Sequence, residues 1–89
     1  MDQTFAYCYF MKFVPERLRS LIPEHIAYWQ NHAPDNFTGG PFRDRSGGLI
    51  IFPAADQDTA ESICRGDPFV TGGLVEEFWV REWLVSHRR

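Results

Sequence analysis

With 89 residues and a mass of 10.4 kDa, the chain has room for one domain, and area scaling has it bury roughly 64% of its unfolded surface. The apolar fraction is ordinary at 44%, but 16% of residues are aromatic, so a partner surface, most simply a second copy, is expected to help cover them. A net charge of −3 with scattered basic residues leaves no basic stripe for nucleic acid, and no apolar run approaches the length of a membrane span.

The first residues, MDQTFAYCYFMKF, start with an acid and lack the basic region and cleavage site of a signal peptide, so the expected address is cytoplasmic. Phe5 to Val14 is aromatic and β-branched and predicts a strand. Its odd positions (Phe5, Tyr7, Tyr9, Met11, Phe13) are large and apolar, and its even positions (Ala6, Cys8, Phe10) are mostly apolar too. Both faces are therefore expected to be covered. Pro15-Glu16-Arg17 opens a helical turn. Pro23 falls too late to sit inside that helix, which predicts a break near Ile22 and a main helix from Pro23 to about His32. Ile26, Trp29 and Ala33 form its apolar stripe, with His25 at the edge.

Ala33 to Asn36 is a polar turn, Phe37 to Arg43 a second strand, and Asp44 to Gly48 a hairpin-like turn. Leu49 to Phe52 is a short strand ended by Pro53. Asp56 or Asp58 can cap a helix over Thr59 to Arg65 that Gly66 closes. Asp67-Pro68-Phe69 starts a further turn ended by Gly72-Gly73, and Leu74 to Val85 is the last strand. The order is β-α-β-β-α-β, the ferredoxin-like α+β arrangement: a four-stranded antiparallel sheet with helices on one face. The other face is then free for a second subunit.

Metal chemistry has little support. Cys8 and Cys64 match no zinc or redox spacing and read as reduced packing residues, and His25, His32 and His87 form no i, i+4 pair. Gly39-Gly40 and Gly47-Gly48 lack a P-loop lysine and read as turns and bulges. His25, placed near a helix start, is where the macrodipole disfavours a positive charge, so a neutral imidazole there can take up a proton. Asp44 is the candidate carboxylate to orient it. Spacing alone favours the plainer reading, a half-buried histidine and an unrelated turn aspartate.

Three blocks then act together: His25-Ile26-Ala27-Tyr28-Trp29, Gly40-Pro41-Phe42-Arg43-Asp44 with Gly47-Gly48, and Asp67-Pro68-Phe69 with Gly73-Leu74. Over almost the whole chain they resemble the YCII-related domain family of YciI-like proteins. The resemblance implies ferredoxin-like domains paired into dimeric α/β barrels, related in architecture to muconolactone isomerase. It also implies a His–Asp site, carried over as His25 and Asp44, and tips their reading towards a catalytic dyad. A relative implicated in chlorinated-aromatic breakdown points to dehydrochlorination or isomerisation of small ring compounds. Two departures stand out: Pro23 close before His25, and a long polar stretch from Ala33 to Thr38 that can reshape the pocket mouth.

Arg17, Arg43, Trp29 and Asp67 complete the expected substrate contacts. Arginine suits a carboxylate or enolate, although each one also reads as a solvated surface charge, Trp29 as core, and Asp67 as the cap of the turn that follows. The functional expectation is a dimeric lyase or isomerase acting on a small organic ligand without cofactor or metal. The alternative is a non-catalytic ligand-binding or assembly module of the same fold.

Overall fold

Tyr7, at the centre of the first strand, has no exposed surface and touches both neighbouring strands and the long helix above it. The computed structural model around it describes residues 2–32 and 37–86. The elements run β1 (Gln3–Met11), α1 (Pro15–His32), β2 (Thr38–Pro41), β3 (Gly47–Ala54), α2 (Gln57–Arg65), α3 (Pro68–Thr71) and β4 (Val75–Glu82). Among the described residues the strands form one antiparallel sheet in the order β2-β3-β1-β4. This is the ferredoxin-like α+β fold, with the short α3 as an addition.

Opposed residues of an antiparallel pair share a face. Phe5, Tyr7 and Tyr9 oppose Phe52, Ile50 and Gly48 on β3, and Tyr7 and Tyr9 oppose Val80 and Phe78 on β4. With Trp29, Ala60, Cys64, Phe69 and Leu74 from the helical layer and its connections, these residues build the core. Ala6, Cys8 and Phe10 point to the other face with Leu49, Ile51 and Trp79, where no described element covers them. At Gly47 a Cβ would strike the Tyr9 carbonyl, so only glycine lets β3 start this close to β1. Gly73, at φ 77°, takes the left-handed turn into β4 without strain.

Two prolines behave differently from expectation. No break occurs near Ile22: α1 runs through Pro23 to His32 as one helix. Pro23 removes the N–H that would bond the Arg19 carbonyl, but both residues are exposed, so water can satisfy that carbonyl. Packing of Leu18, Leu21, Tyr28 and Trp29 on the core holds the helix together across the gap. Likewise β3 runs through Pro53 to Ala54. The last residue of β2 opposite it is Thr38, at Ile51, so Pro53 lies where β3 has only β1 beside it and a missing donor is tolerated.

The Ala33–Asn36 turn, the Ala33 end of the apolar stripe, His87 and the basic end at Arg88 and Arg89 lie outside the described residues. Helix α2 is capped by Asp56, which accepts from the Thr59 N–H, and closed by Gly66. Both cysteines are free and buried. Among the described residues no helix is long and apolar enough to cross a membrane.

Candidate active site

The Asp67-Pro68 pair follows the Gly66 cap of α2 and begins α3, with Asp67 as N-cap and Pro68 in the first turn. The Asp67 side chain is completely buried. Its Oδ1 accepts from the Phe69 N–H at 2.9 Å and sits 2.8 Å from His25 Nδ1, and its Oδ2 accepts from Trp29 Nε1 at 3.2 Å and from the Tyr7 hydroxyl at 3.3 Å. Removing a carboxylate from water costs several kcal/mol unless its lone pairs are filled, and here four partners converge on it. An ionised carboxylate only accepts, so the bond to His25 is one in which Nδ1–H donates, and in the neutral form of that tautomer Nε2 is the acceptor nitrogen. Burial first and the Asp67 charge second push the Tyr7 hydroxyl far above its ordinary value, so it stays protonated and donates. Burial also raises Tyr9 and Cys64, again with Asp67 as second cause.

The imidazole is held on its flat side as well as its edge. It stacks on Phe69 at 4.0 Å between ring centres and 11° between planes, and meets Tyr9 at 6.0 Å. Only 13% of the His25 side chain is exposed, and it lines a cleft of about 550 Å³ between α1, α3 and the β2–β3 end of the sheet. The lining is mostly apolar, with Met11, Leu18, Ile22, Ile26, Trp29, Phe37 and Phe69 among it. A second concavity of about 530 Å³ lies along α2 and β4. It is more polar and contains none of the groups around Asp67, so the cleft at His25 is the candidate site.

A family model for the YCII-related domain matches residues 3–84. The chain belongs to the YCII-related domain family. The fold of this YCII-related domain is similar to that of the 5-chloro-2-hydroxyhydroquinone dehydrochlorinase TftG from Burkholderia phenoliruptrix AC1100, solved with 2,5-dihydroxybenzoquinone. The TM-score is 0.72 at 24% identity, covering 91% of this chain and 93% of that one. It is also similar to SnoaB, a cofactor-independent oxygenase from Streptomyces nogalater, with a TM-score of 0.57 at 15% identity over 98% and 95% of the two chains. At these identities the likeness is one of fold. No curated protein sequence matches the chain.

Within the YCII-related domain, the carboxylate beside His25 is Asp67 and not the expected Asp44. Asp44 is exposed in the hairpin turn, where its Oδ1 accepts from the Ser46 backbone N–H at 3.0 Å and from the Ser46 hydroxyl at 2.6 Å. These bonds hold its carboxyl below the usual carboxylate range. The reason is local: an aspartate two residues before a serine closes its own turn. The helix-start argument for His25 fails as well, because the unbroken α1 makes His25 its eleventh residue, beyond the first turn where the dipole acts.

Of the four expected contacts, Trp29 lines the cleft and donates to Asp67. Asp67 is buried beneath His25, so it supports the imidazole and does not itself line the cleft. Arg17 donates Nη2–H to the Gly72 carbonyl, tying α1 to the end of α3. Arg43 is exposed and outside the cleft, while its neighbour Arg45 lines it. Sequence reasoning missed Tyr7, Tyr9 and Phe69 as site residues, although a buried Tyr or Trp must find a partner for its polar end. Among the described residues no three His, Cys, Asp or Glu side chains cluster as a metal site.

Proposed function

We propose that this protein is a small-molecule enzyme of lyase or isomerase type in which His25 moves a proton on a ring compound held in the cleft. The observation that carries this reading is one imidazole joined at Nδ1 to a fully buried carboxylate while its ring lines an apolar cleft. Nε2 accepts a proton from a ring hydroxyl or from a carbon beside a carbonyl, and the imidazolium that forms is balanced by Asp67. The same Nε2–H then returns the proton to the product or to a departing group. Phe69 and Tyr9 restrict the ring, and Trp29, Tyr7 and the Phe69 N–H restrict the carboxylate. The step needs a base and an acid, both of which His25 supplies in turn, and it invokes no cofactor.

The dehydrochlorinase complexed with a dihydroxybenzoquinone supports a small ring as ligand. The reading also takes the protein as a homodimer joined through the bare sheet face. That face carries Phe10 at 39%, Leu49 at 37%, Trp79 at 38% and Trp83 at 47% exposure, more apolar surface than a solvated sheet face normally shows.

The test is turnover of chlorinated hydroquinones and small lactones by wild type and a His25→Gln variant, followed by chloride release and ultraviolet absorbance. The expected result is a kcat lowered by about 100-fold or more, with ring-compound binding retained. Equal turnover in the variant overturns the role of His25. Binding across the panel without any turnover makes the protein a ligand-binding module instead.

A further inference from the structure

Three cleft residues have a use that the proton transfer does not supply. Tyr9 is only 3% exposed and lines the cleft, yet among the described residues its hydroxyl has no hydrogen-bond partner, although no fully buried side-chain N or O atom there lacks one. That hydroxyl therefore keeps some accessible surface, close to Gly48, where a Cβ would strike it. Arg19 and Arg45 line the same cleft, and neither is among the arginines with an ion pair or a hydrogen bond from the guanidinium, which are Arg17, Arg65 and Arg81. Among the described residues no aspartate or glutamate lines the cleft. Apolar walls with two cations and a phenol, and no acid among the described lining residues, are electrostatically matched to a ligand that brings the negative charge itself.

Arg45 adds a second and independent sign. Among the described residues it is the one non-glycine with positive φ, at 65°, in the turn where its N–H bonds the Phe42 carbonyl. Arginine gains nothing locally from that backbone, whereas asparagine or glycine would take it readily. Strain of this kind concentrates where a side chain is needed in one place, and here the place is the mouth of the His25 cleft.

We propose that the cleft takes a ring compound carrying an anionic oxygen, a carboxylate or an ionised hydroxyl, which Arg45 and Arg19 bind while the Tyr9 hydroxyl donates to an oxygen of the ring near His25. This rests on the assignment of the cleft as the ligand site and adds the charge of the ligand to it. Arg45 and Arg19 are then specificity determinants. The anion fixes one end of the ring, and the distance from that end to His25 selects which proton moves. Tyr9 acts from the floor beside the imidazole, where a phenol that keeps its proton stabilises a developing oxyanion.

The experiment uses matched pairs of acid and neutral amide: benzoate with benzamide, 2,5-dihydroxybenzoate with its carboxamide, and 1-naphthoate with its carboxamide. Each is titrated into isotopically labelled protein at pH 7, followed by the NMR signals of the His25 ring and of the Gly39, Gly47 and Phe69 amides. The acids are expected to bind at least tenfold tighter than their amides. An Arg45→Asn variant, which keeps the left-handed backbone and is expected to melt no lower than wild type, should lose most of that preference. Arg19→Gln in addition should remove the rest, so that acid and amide bind alike. Tyr9→Phe should weaken the dihydroxy acid more than benzoate. Acid and amide binding alike at His25 overturns the anionic ligand, and a preference that survives in the double variant overturns its recognition by Arg45 and Arg19; either leaves the cleft assignment standing. If no compound shifts the His25 and cleft signals, both fall.

Discussion

On the helix-covered face of the sheet, Phe5, Tyr7 and Tyr9 are at most 3% exposed, and the polar ends of Tyr7 and Trp29 find a shared partner in Asp67. On the bare face, Phe10, Leu49 and Trp79 come from the same strands and similar residue types but remain more than a third exposed. The two faces differ in what closes them. The covered face is closed by residues far apart in sequence, with Tyr7 and Asp67 sixty positions apart, and it supports a buried charge. The bare face carries Phe10, Leu49 and Trp79 together with Glu77 and Arg81, and it is the surface that the proposed homodimer would use.

Breaking the covered face should have the largest effect. In an Asp67→Asn variant one acceptor oxygen becomes a donor, leaving buried donors opposed. At 1–3 kcal/mol per unpaired group, a loss of about 4 kcal/mol is expected in urea unfolding. The His25 ring signals should also lose their fixed tautomer. A loss below about 1 kcal/mol would mean that the four contacts are incidental.

A smaller effect is expected on the bare face. Trp79→Glu should raise the dimer dissociation constant by about 30-fold, corresponding to the roughly 2 kcal/mol of a central aromatic anchor, with the monomer fold unchanged by circular dichroism. Sedimentation equilibrium measures this directly, and a wild-type chain that stays monomeric at micromolar concentration removes the dimer altogether.

The smallest effect sharpens the contrast through pH. Tyr7 titrates in the folded state well above its ordinary value of 10.0. Above pH 10 the unfolded chain therefore loses a proton that the folded chain retains, and stability falls as pH rises. Between pH 10 and 11 wild type should lose about 1 kcal/mol more than Tyr7→Phe. Equal slopes would mean that the phenol is accessible to hydroxide.

Much of this was legible along the chain. The β-α-β-β-α-β order follows from β-branched and aromatic runs, the Asp56 and Asp67 caps, and the closing glycines at 66 and 72. The two-sided apolar character of β1 already pointed to two coverings. The prolines misled because their cost is local while the packing that offsets it is not: Leu18, Leu21 and Trp29 keep α1 whole across Pro23. Asp44 misled for a related reason. It occupies a turn beside the sheet, but Ser46 two residues away satisfies it first.

His25 as a candidate site residue, the family's three blocks and the capping role of Asp67 were legible from residue type and near neighbours, since caps and turns depend on a few adjacent positions. Which carboxylate meets the imidazole, which arginines reach the cleft and which tyrosine stays unpartnered were decided only when α1 and α3 closed over the sheet. Those choices depend on angles between elements, and burial makes them costly to change: a carboxylate taken out of water must be met by donors from wherever the fold brings them.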